Sequence, residues 1–105
     1  MPNYLLAYHG GGMPESEAEQ ARVMAAWGEW YQKLGDAVVD PGNPIAGSMT
    51  VESDGSVGEG GGPYPVSGYT VVKAGDMDTA VDYAKGCPLL ASGGSIEVGE
   101  TLSMA

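Results

Sequence analysis

Cysteine and histidine each occur once in this 105-residue chain, and both are residue types that could do chemistry. Cys87 lies in the stretch AKGCPLLASGGSIEV, between a glycine and a proline that are typical of a helix end. A helix C-terminus presents carbonyl oxygens, whose partial negative charge raises the pKa of a thiol and opposes thiolate formation. Because cysteine is also among the most buried residue types, we expect Cys87 to pack in the core; a reactive thiol is the alternative.

The single histidine, His9, stands where an apolar segment, NYLLAYH, meets three glycines. Functional side chains often lie where a strand ends at a loop, and an imidazole changes its charge near neutral pH. We predict that His9 lies at the rim of a ligand pocket, with Tyr8, Tyr69 and Glu97 as further ligand-binding residues. His9 is also the one candidate for acid/base catalysis, although the sequence assigns no catalytic residue. A solvated His9 is the alternative.

Two other stretches have some features of known sites but lack the residues that define them. HGGGMP has the glycines of a phosphate-binding loop without its Lys and Ser/Thr, and the glutamates that follow repel phosphate. DMDTAVD has three carboxylates but lacks the glycine and the terminal glutamate of an EF-hand loop. The sequence therefore predicts no cofactor and no metal site.

Composition and charge limit the partners of the chain. Fourteen acidic and four basic residues give a net charge of -10, and the basic residues do not cluster. Nucleic acid and anionic membrane surfaces are therefore poor partners. A hydrophobic content of 43% is typical of a globular protein, and the length suits a single domain over residues 1–105. One cysteine excludes a disulfide within the chain, and no signal-peptide pattern is evident, so we expect a cytoplasmic protein.

Hydrophobic periodicity predicts the elements that must position these residues. The predicted order is strand, helix, strand, strand, helix, strand, which is the ferredoxin-like arrangement of an α+β domain. Asp54-Gly55 is a preferred hairpin turn, and the glycine-rich segment 56–65 is expected to be either a mobile loop or an irregular hairpin arm. If it is a loop, residues 58–62 are the expected lid of the pocket. The elements are a strand at 3–9, a helix from Pro14 or Ser16 to Gly35, a short strand within 37–47, an alternating strand at 48–53, a strand at 68–74, a helix from Asp76 to Gly86 and a strand at 95–100.

The alternation of side chains predicts which residues share each face of the antiparallel sheet. On the first helix, Ala21, Met24, Ala25, Gly28, Tyr31 and Leu34 form the predicted apolar face. On the sheet, Met49, Val51, Val72, Ile96 and Val98 are expected to face the helices, and Thr50, Tyr69, Val71, Lys73 and Glu97 to face away. A half-apolar, aromatic-bearing face is a poor solvent surface. We therefore expect a second copy to cover it and form a homodimer.

The stretch GYTVVKAGDMDTAVDYAKGCPLLASGGSIEV, together with YLLAYHG and VDPGNP, resembles the YCII-related family, including its DGPF branch. The resemblance implies a single ferredoxin-like subunit that pairs into a dimeric α/β barrel. Some members of the family are enzyme-like through a His on the first helix and an Asp before the proline after the second helix. In this chain the first helix reads MAAWGEWYQKL, Cys87 precedes Pro88, and GEGGGPYP replaces the DGPF signature, so a His–Asp dyad cannot be carried over.

Three functions fit the sequence. The first is a dimeric module that binds a small molecule without catalysis. The second is a small enzyme, of the isomerase or monooxygenase type found among dimeric α/β barrels, in which His9 is the acid/base and Tyr69 or Tyr8 donates a hydrogen bond. The third is a protein-interaction domain that assists a regulator. A cavity with polar groups at its floor favours the first two, whereas a filled barrel favours the third.

Overall fold

The computed structural model describes residues 1–12, 15–60 and 65–103. Four strands form one antiparallel sheet in the order β2-β5-β1-β6, and β3 and β4 pair separately as a hairpin. Two 3₁₀ turns, Gly35–Ala37 and Pro88–Ser92, follow the two helices. The elements are β1 (Asn3–His9), α1 (Glu17–Leu34), β2 (Val38–Asp40), β3 (Met49–Val51), β4 (Val57–Glu59), β5 (Val66–Lys73), α2 (Met77–Lys85) and β6 (Ser95–Glu100).

The predicted ferredoxin-like α+β fold is confirmed, with one difference in how the predicted strand at 48–53 is used. The four sheet strands and the two helices follow the expected β-α-β-β-α-β order. The segment that was expected to supply a sheet strand at 48–53 instead forms β3, which pairs with β4 across the turn at Asp54-Gly55. The Asp54 side chain holds this turn by accepting hydrogen bonds from the backbone and the hydroxyl of Ser56.

Side-chain caps fix where both helices begin. The Ser16 hydroxyl accepts a hydrogen bond from the backbone N–H of Glu19 at 3.1 Å, and the Asp76 carboxylate accepts one from Thr79 at 2.8 Å. The Glu19 carboxylate accepts from the backbone of Glu15, so the predicted reciprocal capping box is only half formed. The proposed start at Pro14 lies outside the described residues.

Both helices pack on the same face of the sheet. The face of α1 that meets the sheet is the aromatic one: Trp30 is buried, and Trp27, Tyr31 and Leu34 pack against the core. The predicted apolar face is right for Tyr31 and Leu34 and wrong for Met24, which is 68% exposed. The aromatic side chains bury more apolar area than Met24 and the alanines do, which sets the rotation of the helix. The buried core residues are Tyr4, Leu6, Tyr8, Trp30, Val72, Ala74, Ala80, Ala84 and Cys87.

A relay of hydroxyl groups runs through this core. The Tyr8 hydroxyl donates to Thr70 Oγ1 at 2.5 Å, and Thr70 Oγ1 donates to the carbonyl oxygen of Pro41 at 3.0 Å. Tyr31 also donates to that carbonyl, at 3.1 Å. Thr70 is fully buried, so its hydrogen bond with Tyr8 forms where water cannot replace it. The relay ties β1, β5 and α1 to the segment that follows β2.

In the β3–β4 hairpin, the side chains point differently from the prediction. Met49 and Val51 were expected to face the helices, and this is wrong: they are 66% and 68% exposed. The reason is that β3 pairs with β4 rather than with the four-stranded sheet, so no helix lies over it in the part of the chain that the structure describes. Val72, Ile96 and Val98 do lie on the helix side, as expected.

Replacing Thr70 by Val should destabilise the protein by about 1–3 kcal/mol, because it leaves the buried Tyr8 hydroxyl without its acceptor while conserving side-chain shape. Urea unfolding measures this change. Thr70→Ser, which keeps the hydroxyl and loses one methyl, should cost only about 1 kcal/mol. Equal costs for the two variants would contradict the relay.

Candidate functional site

The sheet face opposite the helices carries most of the residues that the sequence singled out. We call it the free sheet face. Strand register places Tyr69, Ala7 and Glu97 in one row across β5, β1 and β6. It consists of Asn3, Leu5, Ala7 and His9 on β1, Tyr69, Val71 and Lys73 on β5, and Ser95, Glu97 and Gly99 on β6.

Of the four predicted ligand-binding residues, the structure brings three to this face. His9, Tyr69 and Glu97 share it, whereas Tyr8 points to the helix side, where its ring lies edge-on to Trp27 with the centroids 5.5 Å apart. Adjacent residues of a strand point to opposite faces, so Tyr8 and His9 cannot both face one pocket in a single subunit. Whether His9, Tyr69 and Glu97 bind a ligand stays a prediction.

We call the row Tyr69–Ala7–Glu97 the hollow, because its middle side chain is the smallest. Ala7 stands between Tyr69 and Glu97 and is the smallest side chain of the three. Neighbouring strands lie about 4.8 Å apart, so the backbones that carry Tyr69 and Glu97 are separated by roughly 10 Å. Tyr69 is half-buried and Glu97 is exposed. The hollow therefore has a phenol hydroxyl on one side and a carboxylate acceptor on the other.

His9 lies at the rim of the hollow. His9 is the last residue of β1 and pairs with Ser95 of β6, two residues beyond Ala7 and Glu97. On its other side, the pairing of β1 with β5 shifts register between Tyr8 and His9. Gly10 and Gly11 follow with φ angles of 72° and 90°, a backbone conformation that glycine adopts without strain. The predicted position of His9 at a strand end beside a glycine turn is therefore present in the structure.

Gly42 lies beside Tyr69, on the side of the hollow away from Glu97. Gly42 has a φ angle of 74°, and a Cβ atom at this position would overlap the backbone carbonyl of Tyr69. The loop after β2 thus lies directly against the backbone of Tyr69. Together with the two hydrogen bonds received by Pro41, this contact fixes the segment of β5 that presents Tyr69.

The predicted lid is only partly described. Residues 61–64, which include the end of the proposed 58–62 segment, lie outside the described residues. Residues 58 and 59 belong to β4 and pair with β3, so this part is a strand of the hairpin rather than a loop over the sheet. Two clefts of about 400 and 500 Å³ open on the subunit, and neither is lined by His9, Tyr69 or Glu97.

Cys87 lies in the core, as predicted. It is 3% exposed and shares the core cluster with Tyr8 and Trp30. Burial raises the pKa of the Cys87 thiol to about 11, although the backbone N–H of Leu89 and the Tyr8 hydroxyl oppose the shift. Burial likewise raises the pKa of Tyr8 far above its usual value. The Cys87 side chain therefore lies in packed interior, and its thiol is protonated at neutral pH.

Metal-binding clusters and membrane-spanning helices are both absent from residues 1–12, 15–60 and 65–103. Within these ranges no three His, Cys, Asp or Glu side chains gather closely enough to hold a metal ion. No helix there has the length and apolar character needed to cross a membrane.

Sequence reasoning missed Thr70, which carries the relay that positions β5 against the loop after β2. The signal was present in the pattern: Thr70 is the polar residue between the free-face positions Tyr69 and Val71, so it occupies a helix-facing, buried position. A polar residue at a core position needs a buried partner, and hydroxyl-bearing aromatic residues supply it here.

Comparison with known proteins shows the fold. The chain matches the solved structure of 5-chloro-2-hydroxyhydroquinone dehydrochlorinase from Burkholderia phenoliruptrix AC1100, in complex with 2,5-dihydroxybenzoquinone. The TM-score is 0.55 and the identity 16%, over 96% of this chain and 95% of the other. No protein-family model matches the chain, and no curated protein matches it. At this identity the likeness establishes a shared α+β, ferredoxin-like architecture, which fits the subunit of a dimeric α/β barrel.

Alkaline pH should destabilise the protein in part through Cys87. The thiol has an ordinary pKa of 9.0 and a folded pKa of about 11, so its contribution to stability is complete below pH 9 and is lost as the pH rises toward 11. At pH 10 the loss should be about 1 kcal/mol. Urea unfolding of the native protein and of Cys87→Ala between pH 7 and 10 measures it. A parallel decline in both proteins, or rapid labelling of the native thiol at pH 7, would contradict this assignment.

Proposed function

We propose that this chain is a YCII-related protein that binds a small molecule as a homodimer, with the pocket between the free sheet face and the second copy. The observation that carries the proposal is the row Tyr69–Ala7–Glu97, which sets two polar side chains on either side of a small residue. His9 stands at its rim. Such a hollow, with a few polar groups around an apolar floor, is typical of small-molecule sites.

The proposal of a homodimer rests on what the single subunit leaves uncovered. Leu5 and Val71 form an apolar row beside the hollow, and Leu5 is 38% exposed. Neither of the two clefts described above includes Tyr69, Ala7 or Glu97, and a second surface over the hollow would make it a closed pocket. An isologous two-fold interface covers the same face on both copies at once.

A cytoplasmic location stays a prediction of the sequence.

The charges around the hollow indicate the ligand class. Glu97 accepts hydrogen bonds, and the net charge of -10 disfavours anions over the whole surface. A neutral, planar ring that carries hydroxyl groups suits a site with a carboxylate on one side and a tyrosine on the other. The structural neighbour is named for a hydroxyhydroquinone substrate, which supports a hydroxylated ring as the ligand.

An enzyme is the second candidate, and the position of His9 favours it. His9 pairs with Ser95 on the same face and at the same pair of strands as Ala7 and Glu97, so its imidazole lies close to where a ring hydroxyl would sit. An imidazole at this place can accept a proton from a bound phenol. The structural neighbour is named as a dehydrochlorinase, which makes proton abstraction from a hydroxylated ring the reaction class to test.

Titration calorimetry with two probes tests the ligand proposal. The neutral 1,2,4-trihydroxybenzene should bind, whereas 2,5-dihydroxybenzoquinone, which ionises readily, should bind at least about tenfold more weakly because of the acidic surface. Glu97→Gln should weaken the neutral probe by about tenfold or more, because a hydrogen bond to a charged acceptor is lost.

The matched control is Glu29→Gln, which makes the same change on the exposed surface of α1. It should leave the affinity unchanged. If Glu97→Gln and His9→Ala both bind the neutral probe as tightly as the native protein, the free sheet face is not the site.

A further inference from the structure

The β3–β4 hairpin presents an apolar surface to solvent. We call residues 48–60 the arm. Three of its side chains, Met49, Val51 and Val57, are 66%, 68% and 60% exposed. Register places Met49 opposite Glu59 and Val51 opposite Val57, so these four side chains share one face of the arm.

The arm extends away from the body of the subunit. The chain after β2 runs along the start of β5 through a bridge between Pro44 and Gly68 and a hydrogen bond from the Ile45 N–H to Ser67. It then continues into β3, with Ser48 packed against Gly60. The Cα radius of gyration is 14.9 Å, whereas a compact chain of this length has ~13 Å. The subunit is therefore more extended than its length requires.

A projecting two-stranded ribbon needs a covering surface. An isolated hairpin is marginally stable in water, and a contiguous apolar face on it adds an unfavourable exposed area. The arm carries Glu52, Asp54 and Glu59, which disfavour an anionic membrane as the cover. A second copy of the chain is always available and presents an apolar face of its own.

We propose that the arm of each subunit covers the Lys73 end of the free sheet face of its partner. This inference rests on the homodimer of the proposed function. The arm leaves the body at the start of β5, near Val66, and Lys73 is the last residue of the same strand. In a two-fold pair whose strands run in opposite directions across the interface, the start of β5 in one copy lies beside the end of β5 in the other.

The two surfaces match in chemistry. The arm face has three apolar side chains and Glu59, and the receiving surface has the apolar pair Leu5 and Val71 next to Lys73. Lys73 is exposed and is the single basic residue of the free sheet face as defined above. In a subunit with a net charge of -10, a cation beside an apolar row is the place where an acidic ribbon binds best.

In this arrangement, residues of both copies line the ligand site. The row of Leu5 and Val71 borders the Ala7 row on the side away from His9. An arm from the partner that covers Leu5 and Val71 therefore supplies the wall of the pocket that the subunit lacks. With Glu59 of the arm beside Lys73, Val57 of the arm would border the ligand.

A matched pair of substitutions tests the arm. Met49→Glu on the arm and Met24→Glu on the outer face of α1 make the same change at positions of nearly equal exposure, 66% and 68%. Sedimentation velocity over a concentration series gives the dissociation constant of the dimer. Met49→Glu should raise this constant by about tenfold or more, and Met24→Glu should change it by less than about twofold.

A charge exchange tests the docking position. Lys73→Glu should raise the dissociation constant by about tenfold, and adding Glu59→Lys to it should restore the native value to within about threefold. Circular dichroism checks that each variant is folded. A native dimer that is unaffected by Met49→Glu, or a double variant without rescue, overturns the arm contact and leaves the homodimer standing. A native protein that is monomeric overturns both.

Discussion

The structure depends on one constraint: two helices cover only one face of a four-stranded sheet. The buried residues of β1 and β5 all point to the helices, and the chain has no further described element that packs on the other face. That face nevertheless carries Leu5, Val71 and Tyr69, which are costly to leave in water. The uncovered face accounts for the proposed homodimer, the proposed pocket and the need for an arm.

The covered face gains its specificity from polar aromatic residues. The chain has six Tyr and two Trp but no Phe, so every aromatic side chain carries a polar atom. Tyr4, Tyr8 and Trp30 are buried in the core, and Trp27, Tyr31 and Tyr83 pack against it. Trp30 donates to the carbonyl of Tyr83 at 2.9 Å, which ties α1 to α2, and Tyr8 and Tyr31 meet at Thr70. Satisfied buried hydrogen bonds of this kind fix one arrangement of helices and strands. Through Pro41 and Gly42 they also set the position of Tyr69 on the opposite face.

Much of this fold follows from the sequence, because its strands and helices have strong local patterns. GYTVVKA and NYLLAYH predict the two central strands, Ser16 and Asp76 predict the helix starts, and Asp54-Gly55 predicts the hairpin turn. The sequence also indicates which side chains of β5 and β6 face away from the helices. It cannot determine which strand pairs with 48–53, since alternation alone does not choose between two available partners.

The candidate site was harder to predict, because strand register decides which residues meet. Tyr8 and His9 are neighbours in sequence and lie on opposite faces, so a site that contains both needs more than one surface. Alternation indicates the face of Ala7, but only the register shows that it lies between Tyr69 and Glu97. On α1, helical spacing alone does not separate Met24, which is exposed, from Tyr31 and Leu34, which pack against the core.

The mass of the protein in solution tests the central claim most directly. Light scattering at micromolar concentration should give about twice the subunit mass of 10.7 kDa, because the proposed homodimer covers the free sheet face of both copies. A protein that stays at the subunit mass over this range would contradict the account.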